Sequence, residues 1–112
     1  MSFIDYQLDI FFGRMDSIRW DIAEYEMWME DYKAKRETYP AWKTQDGKSI
    51  RVYELEDDHL DNLIPFIQKR DPENKTHWLD LFKAEKQYRV LPQKITDLKK
   101  EMEKMERVLE LL

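Results

Sequence analysis

Cysteine is missing from this 112-residue chain. Disulfides, thiolate metal sites and cysteine nucleophiles are therefore excluded. Two glycines and four prolines are few for a fold made of many short strands and turns. The glycines are also too sparse for a loop that cradles phosphate, and Ser2, Ser17 and Ser49 lack the Gly-x-Ser-x-Gly setting of a hydrolase nucleophile. No stretch approaches the ~20 consecutive apolar residues that cross a bilayer. The opening Met-Ser-Phe-Ile-Asp has no basic segment ahead of an apolar run, so a cytoplasmic location without a membrane partner is expected. The two histidines, His59 and His77, do not share one helix at metal-ligand spacing. Glu56-x-x-His59 has the carboxylate–histidine spacing of a di-iron ligand pair, but such sites need two copies and two further carboxylates. No metal, cofactor or enzymatic activity is expected.

Charge, by contrast, is plentiful. Charged residues make up 38% of the chain and hydrophobic ones 42%, a balance that favours long, well-solvated helices over a compact globule. The length suits one domain with a single core. A net charge of −5 argues against a nucleic-acid partner, which needs clustered cations to release counterions. The charges are too mixed for a uniformly acidic DNA mimic.

Apolar residues from Ile4 fall at Leu8, Phe11, Met15, Ile18, Ile22, Tyr25, Met29 and Tyr32, in alternating steps of four and three. That is a heptad seam. A second apolar stripe, Phe3, Tyr6, Ile10, Trp20 and Met27, lies on the opposite side with Gly13 and Ser17 between its members. A helix in a simple two-helix hairpin needs one apolar face. The second predicts packing against another subunit, at least a dimer with Trp20 near its interface, or against the small head. The helix, over 3–38, ends ahead of Pro40, because a residue preceding proline is pushed out of the helical region. A last helix over 76–112 carries a matching seam of Leu81, Ala84, Tyr88, Leu91, Ile95, Leu98, Met102, Met105, Leu109 and Leu112, with Pro92 off the seam as a point of kinking or breakage. The exposed run of Lys99, Lys100, Glu101, Glu103, Lys104 and Glu106 reads as a solvated helix face.

Between the helices, 40–75 forms a head. Asp46-Gly47 is a hairpin turn, followed by Ile50 and Val52 as the buried positions of a strand. A short helix then opens with Asp57 or Asp58 as cap and places Leu60, Leu63, Ile64 and Ile67 on one side, with Pro65 as a bend or an early end. The expected fold is mainly α with a small β-hairpin: an antiparallel coiled-coil hairpin of two helices carrying a small α+β head.

The head has a more particular pattern. Trp42-x-Thr44-x-Asp46-Gly47-x-x-Ile50-x-Val52, followed after six residues by His59-Leu60-x-Asn62-x-Ile64, resembles a segment found in many small phage and prophage proteins. The segment commonly has methionine ahead of the histidine, where this chain has Leu55. The resemblance covers about a quarter of the chain and neither long helix. Some carriers look like anti-defence proteins, and the segment resembles phage sponges that sequester cyclic nucleotide signals of the Thoeris type. It thus implies a binding protein in the cytoplasm of an infected bacterium, holding a small anionic nucleotide without chemistry. Arg51 and Tyr53 would lie on the strand's other face, placed to meet a phosphate and a base, with Trp42, Lys48, His59 and Asn62 completing the expected ligand site. Two other classes compete. One is a protein–protein inhibitor of a host nuclease or defence effector, using Trp20, Trp28 and Trp78 as exposed anchors. The other is a coiled-coil adaptor whose head only connects the helices.

Overall fold

In a computed structural model, which describes residues 3–112 and only the backbone of Phe3, the protein is mainly α with one small hairpin. Helix α1 spans Phe3–Lys35, followed by a single 3₁₀ turn over Arg36–Thr38. Strands β1 (Trp42–Lys43) and β2 (Ser49–Ile50) pair antiparallel, with Trp42 opposite Ile50 and Lys43 opposite Ser49. A second 3₁₀ turn, Val52–Glu54, leads into α2 (Asp57–Arg70), and α3 runs over Trp78–Glu110. The chain resolves into two compact units. Residues up to Trp28 together with Leu91–Leu112 make one, and Met29–Val90 the other; α1 and α3 contribute to both.

In the first unit α1 and α3 run antiparallel. Met15, Ile18, Leu91 and Ile95 are buried at their contact, as the two seams demand. The Arg14 guanidinium donates to both carboxylate oxygens of Glu101, at 3.1 and 3.2 Å, and Lys99 pairs with Glu26 at 3.1 Å. These pairs are solvent-exposed and contribute a few tenths of a kcal/mol each; the seam supplies the stability. Its outermost members do less. Ile4 and Leu112 are exposed, Leu112 lying past the end of α3.

In the second unit Val52, Leu55, Leu60, Leu63, Ile67 and Phe82 form the core, with Trp42, Ile50, Ile64, Trp78 and Leu79 packed against it. The buried row of α2 is Leu60, Leu63 and Ile67, with Ile64 half-buried, the side that the apolar spacing selects. Pro65 neither bends the row out of the core nor ends α2 early: the helix continues to Arg70. Likewise α3 is continuous through Pro92, whose carbonyl accepts from the Thr96 hydroxyl at 2.9 Å.

Three local expectations are corrected. The strand stops at Ile50, and Val52 is buried from a 3₁₀ turn; burial of its side chain in the core outweighs the β preference of a valine. The residue before α2 is Glu56, not Asp57 or Asp58, and it makes no side-chain cap bond. Asp57 sits instead in the first turn, where the positive end of the helix favours a carboxylate, and it pairs with Arg89 at 2.9 Å. The hairpin turn is centred on Gln45-Asp46. The Gly47 amide donates to the Thr44 carbonyl at 3.0 Å, and Gly47 follows with φ +83°, the left-handed position that glycine fills without strain.

Candidate ligand cleft

A broad, open cleft of about 1330 Å³ lies in the second unit, bounded by the hairpin, one face of α2 and the start of α3. The turn sets one wall. The Thr44 hydroxyl contacts the Asp46 carboxylate and the Lys48 carbonyl, and the Thr44 amide donates to Lys48 at 2.8 Å. The Thr44 hydroxyl holds the Asp46 carboxyl below its usual range, so the turn keeps its geometry with Asp46 ionised. The opposite wall is a row on α2, His59, Asn62, Phe66 and Arg70, whose steps of three and four keep it on one helical side. That row is adjacent to the buried one, so α2 has one face in the core and the next over the cleft.

The floor is aromatic. The Trp42 ring meets Trp78 edge-on at 5.1 Å, Phe82 at 5.3 Å and Phe66 at 6.5 Å, while Trp78 stacks on Phe82 at 5.7 Å. Edge-to-face contacts at such separations are favourable beyond their area alone, so Trp42 anchors the core with one side and lines the cleft with the rest. The Arg70 guanidinium lies 5.8 Å from the Phe66 centroid. Lys43, Lys48 and Arg70 supply three cations to the rim against the carboxylates of Asp46 and Glu54, a local excess of one positive charge in a chain whose net charge is −5.

Four of the six expected ligand residues therefore meet here: Trp42, Lys48, His59 and Asn62. Arg51 and Tyr53 do not. With the strand ended at Ile50, the Arg51 side chain turns to the Tyr39 carbonyl, donating at 2.6 Å, and the Tyr53 ring lies 5.1 Å from the Arg36 guanidinium. Phe66, Arg70 and Trp78 were not among the expected residues. The spacing of Phe66 and Arg70 from His59 and Asn62 was the available signal for the first two. Trp78, expected to be an exposed anchor, is half-buried in the aromatic cluster, and Trp28 is half-buried too; of the three only Trp20 is exposed.

Tyr53 belongs to a second polar centre, built around a carboxylate with no solvent exposure. Glu85 accepts from the Tyr32 hydroxyl at 2.9 Å, from Arg36 at 2.9 Å and from Arg89 Nε at 2.8 Å. Arg89 reaches on to Asp57 at 2.9 Å and to the carbonyls of Val52 and Tyr53, each at 3.4 Å. The Arg36 guanidinium also lies 4.6 Å from the centroid of Tyr88. Burial pushes the Tyr32 phenol well above its ordinary value, and the Glu85 carboxylate it faces adds to the rise. For Arg89, burial acts to lower the value, but the hydrogen bonds and charges of Glu85 and Asp57 outweigh it and hold the guanidinium above its ordinary range. The centre ties the end of α1, both 3₁₀ turns, the start of α2 and the α3 helix together, with the buried Arg36 Nε left without a hydrogen-bond partner among the described residues. Its chemistry is structural. Among the described residues no group of three or more His, Asp or Glu is arranged to hold a metal ion, and no helix is long and apolar enough to cross a membrane. No family model matches the chain, and neither a curated protein nor a solved structure matches it.

Proposed function

We propose that this protein is a phage anti-defence binding protein that sequesters a cyclic nucleotide-type immune signal in the cleft between the hairpin and α2, without chemistry. The observation carrying this reading is the joining, in one cleft, of aromatic and cationic side chains: Trp42 and Phe66 line it together with Lys43, Lys48 and Arg70 and with the donors and acceptors of His59 and Asn62. A planar base is held by aromatic faces and a phosphate by fixed cations. The resemblance of the Trp42–Ile64 segment to phage and prophage proteins supports the biological setting. The reading of a protein inhibitor with tryptophan anchors has less to stand on, since Trp20 alone of its three tryptophans is exposed.

Because the cleft is wide and open, a bound nucleotide keeps one side in water. Affinity then comes from a few strong contacts and not from enclosure. Sequestration at equilibrium makes inhibition stoichiometric and leaves the ligand intact. Calorimetry against cyclic ADP-ribose isomers and cyclic dinucleotides should find at least one that binds at ~10 μM or tighter, about −7 kcal/mol. Arg70→Glu should weaken that binding at least tenfold, whereas Arg51→Ala, on a residue outside the cleft, should not. If no member of the panel binds, the proposal fails.

A further inference from the structure

The first unit leaves a face of α1 uncovered that has the period of a helix–helix seam. Positions 6, 10, 13, 17, 20, 24 and 27 advance in steps of four, three, four, three, four and three, and hold Tyr, Ile, Gly, Ser, Trp, Glu and Met. Trp20 and Met27 are 70% and 71% exposed, and Tyr6 and Ile10 are each more than half exposed; the side chain of Phe3 lies outside the described residues. A mean repeat of 3.5 keeps one stripe facing a second helix along its length, a requirement that a small ligand does not impose. Gly13 adds an independent sign. Glycine is disfavoured inside a helix, and a Cβ built on Gly13 would meet nothing within 4 Å. Among the described residues nothing accounts for it; close approach of another backbone does.

We infer that this face binds a second copy of the chain, α1 against α1, antiparallel, about a two-fold axis near position 15. The stripe is self-complementary in that register. Positions whose numbers sum to 30 then face each other, as an isologous interface requires. Gly13 meets the partner's Ser17, so the helices come closest where both side chains are small. Ile10 meets the partner's Trp20, and the Tyr6 hydroxyl is placed to donate to the partner's Glu24. Glu24, the one charged member, thus faces a phenol and not a second carboxylate. Between Tyr6 and Met27 the stripe is ~32 Å long at 1.5 Å per residue. Stable interfaces bury roughly 600–1,000 Å² per partner; a single stripe with four large exposed apolar side chains, Tyr6, Ile10, Trp20 and Met27, predicts a reversible dimer in the micromolar range.

Sedimentation equilibrium of the full chain from ~1 to ~200 μM, the range of micromolar association, should show a monomer–dimer transition. Trp20→Glu and Gly13→Leu should each shift the midpoint at least tenfold towards monomer. Leucine favours a helix more than glycine does and has open space within the chain, so Gly13→Leu should keep or raise the helical circular-dichroism signal of the monomer. The orientation is testable because the chain has no cysteine of its own. On mild oxidation, a mixture of Gly13→Cys and Ser17→Cys chains should give a disulfide-linked heterodimer faster than either variant alone gives a homodimer. A chain that stays monomeric throughout overturns the inference and leaves the face to another protein. A dimer indifferent to both Trp20→Glu and Gly13→Leu overturns it as well. Preferential linkage of Gly13→Cys chains to each other would mean a parallel pair and overturn the register. Ligand binding in the cleft is not involved in any of these readouts.

Discussion

Glu85 has no exposure, and three donors converge on its carboxylate: the Tyr32 hydroxyl from α1, Arg36 from the 3₁₀ turn that follows it, and Arg89 from α3 itself. Removing Glu85 takes from the largely buried Arg36 its carboxylate partner and leaves Arg89 with Asp57 and two carbonyls, and breaking a buried pair by deleting one partner typically costs about 3–5 kcal/mol. Glu85→Ala should therefore lower the unfolding free energy by about that amount in urea denaturation, and Glu85→Gln, which keeps an acceptor, by less. Tyr32 adds a pH dependence whose sign follows from its raised pKa. The native state holds the phenolic proton more tightly than the unfolded chain, so the contribution is fully present below the ordinary tyrosine value of about 10 and is lost as pH rises beyond it. The stability difference between wild type and Tyr32→Phe should accordingly be constant from pH 7 to 9 and shrink above about 10. A difference that grows with alkaline pH would contradict the assignment.

Among the elements, those with strong periodicity were legible and those set by tertiary contacts were not. The seams of α1 and α3 announce themselves at three-and-four spacing, and Met15, Ile18, Leu91 and Ile95 are buried where the seams put them. The buried row of α2 is equally plain. Glu85 was hidden by its own chemistry: followed by Arg89 four residues on, it reads as one more exposed i,i+4 pair. Phe82, one step off the seam at Leu81, is fully buried because the hairpin and α2 cover a face of α3 that a two-helix pattern assigns to solvent. The same covering pulls Val52 out of a strand and into a 3₁₀ turn, and this moves Arg51 and Tyr53 away from the cleft. Of the cleft's lining, Trp42, His59 and Asn62 are fixed positions of the Trp42–Ile64 pattern and Lys48 a variable one, while Phe66, Arg70 and Trp78 lie outside it and are brought in by the fold. Phe82 stacks on Trp78 and meets Trp42 edge-on, so Phe82→Ala should cost about 3–5 kcal/mol. It should also disturb the cleft floor, read as a shift in tryptophan fluorescence, while the helices of the first unit persist.

At the scale of the whole molecule, the two units offer different surfaces. The second unit provides a cleft whose cations stand out against an acidic chain, and the first unit provides a helix face with the period and composition of a pairing surface. Each chain carries its own cleft, so ligand stoichiometry should be one per chain whether or not chains pair. The most direct test of the central claim is calorimetric titration of the intact protein with cyclic ADP-ribose isomers and cyclic dinucleotides, run beside the Lys48→Glu and Arg70→Glu variants. One site per chain is expected, with a Kd of ~10 μM or lower for at least one of these ligands, a loss of at least tenfold in both variants, and recovery of the ligand unaltered. Absence of binding across the panel, or binding that both charge reversals leave unchanged, would contradict it.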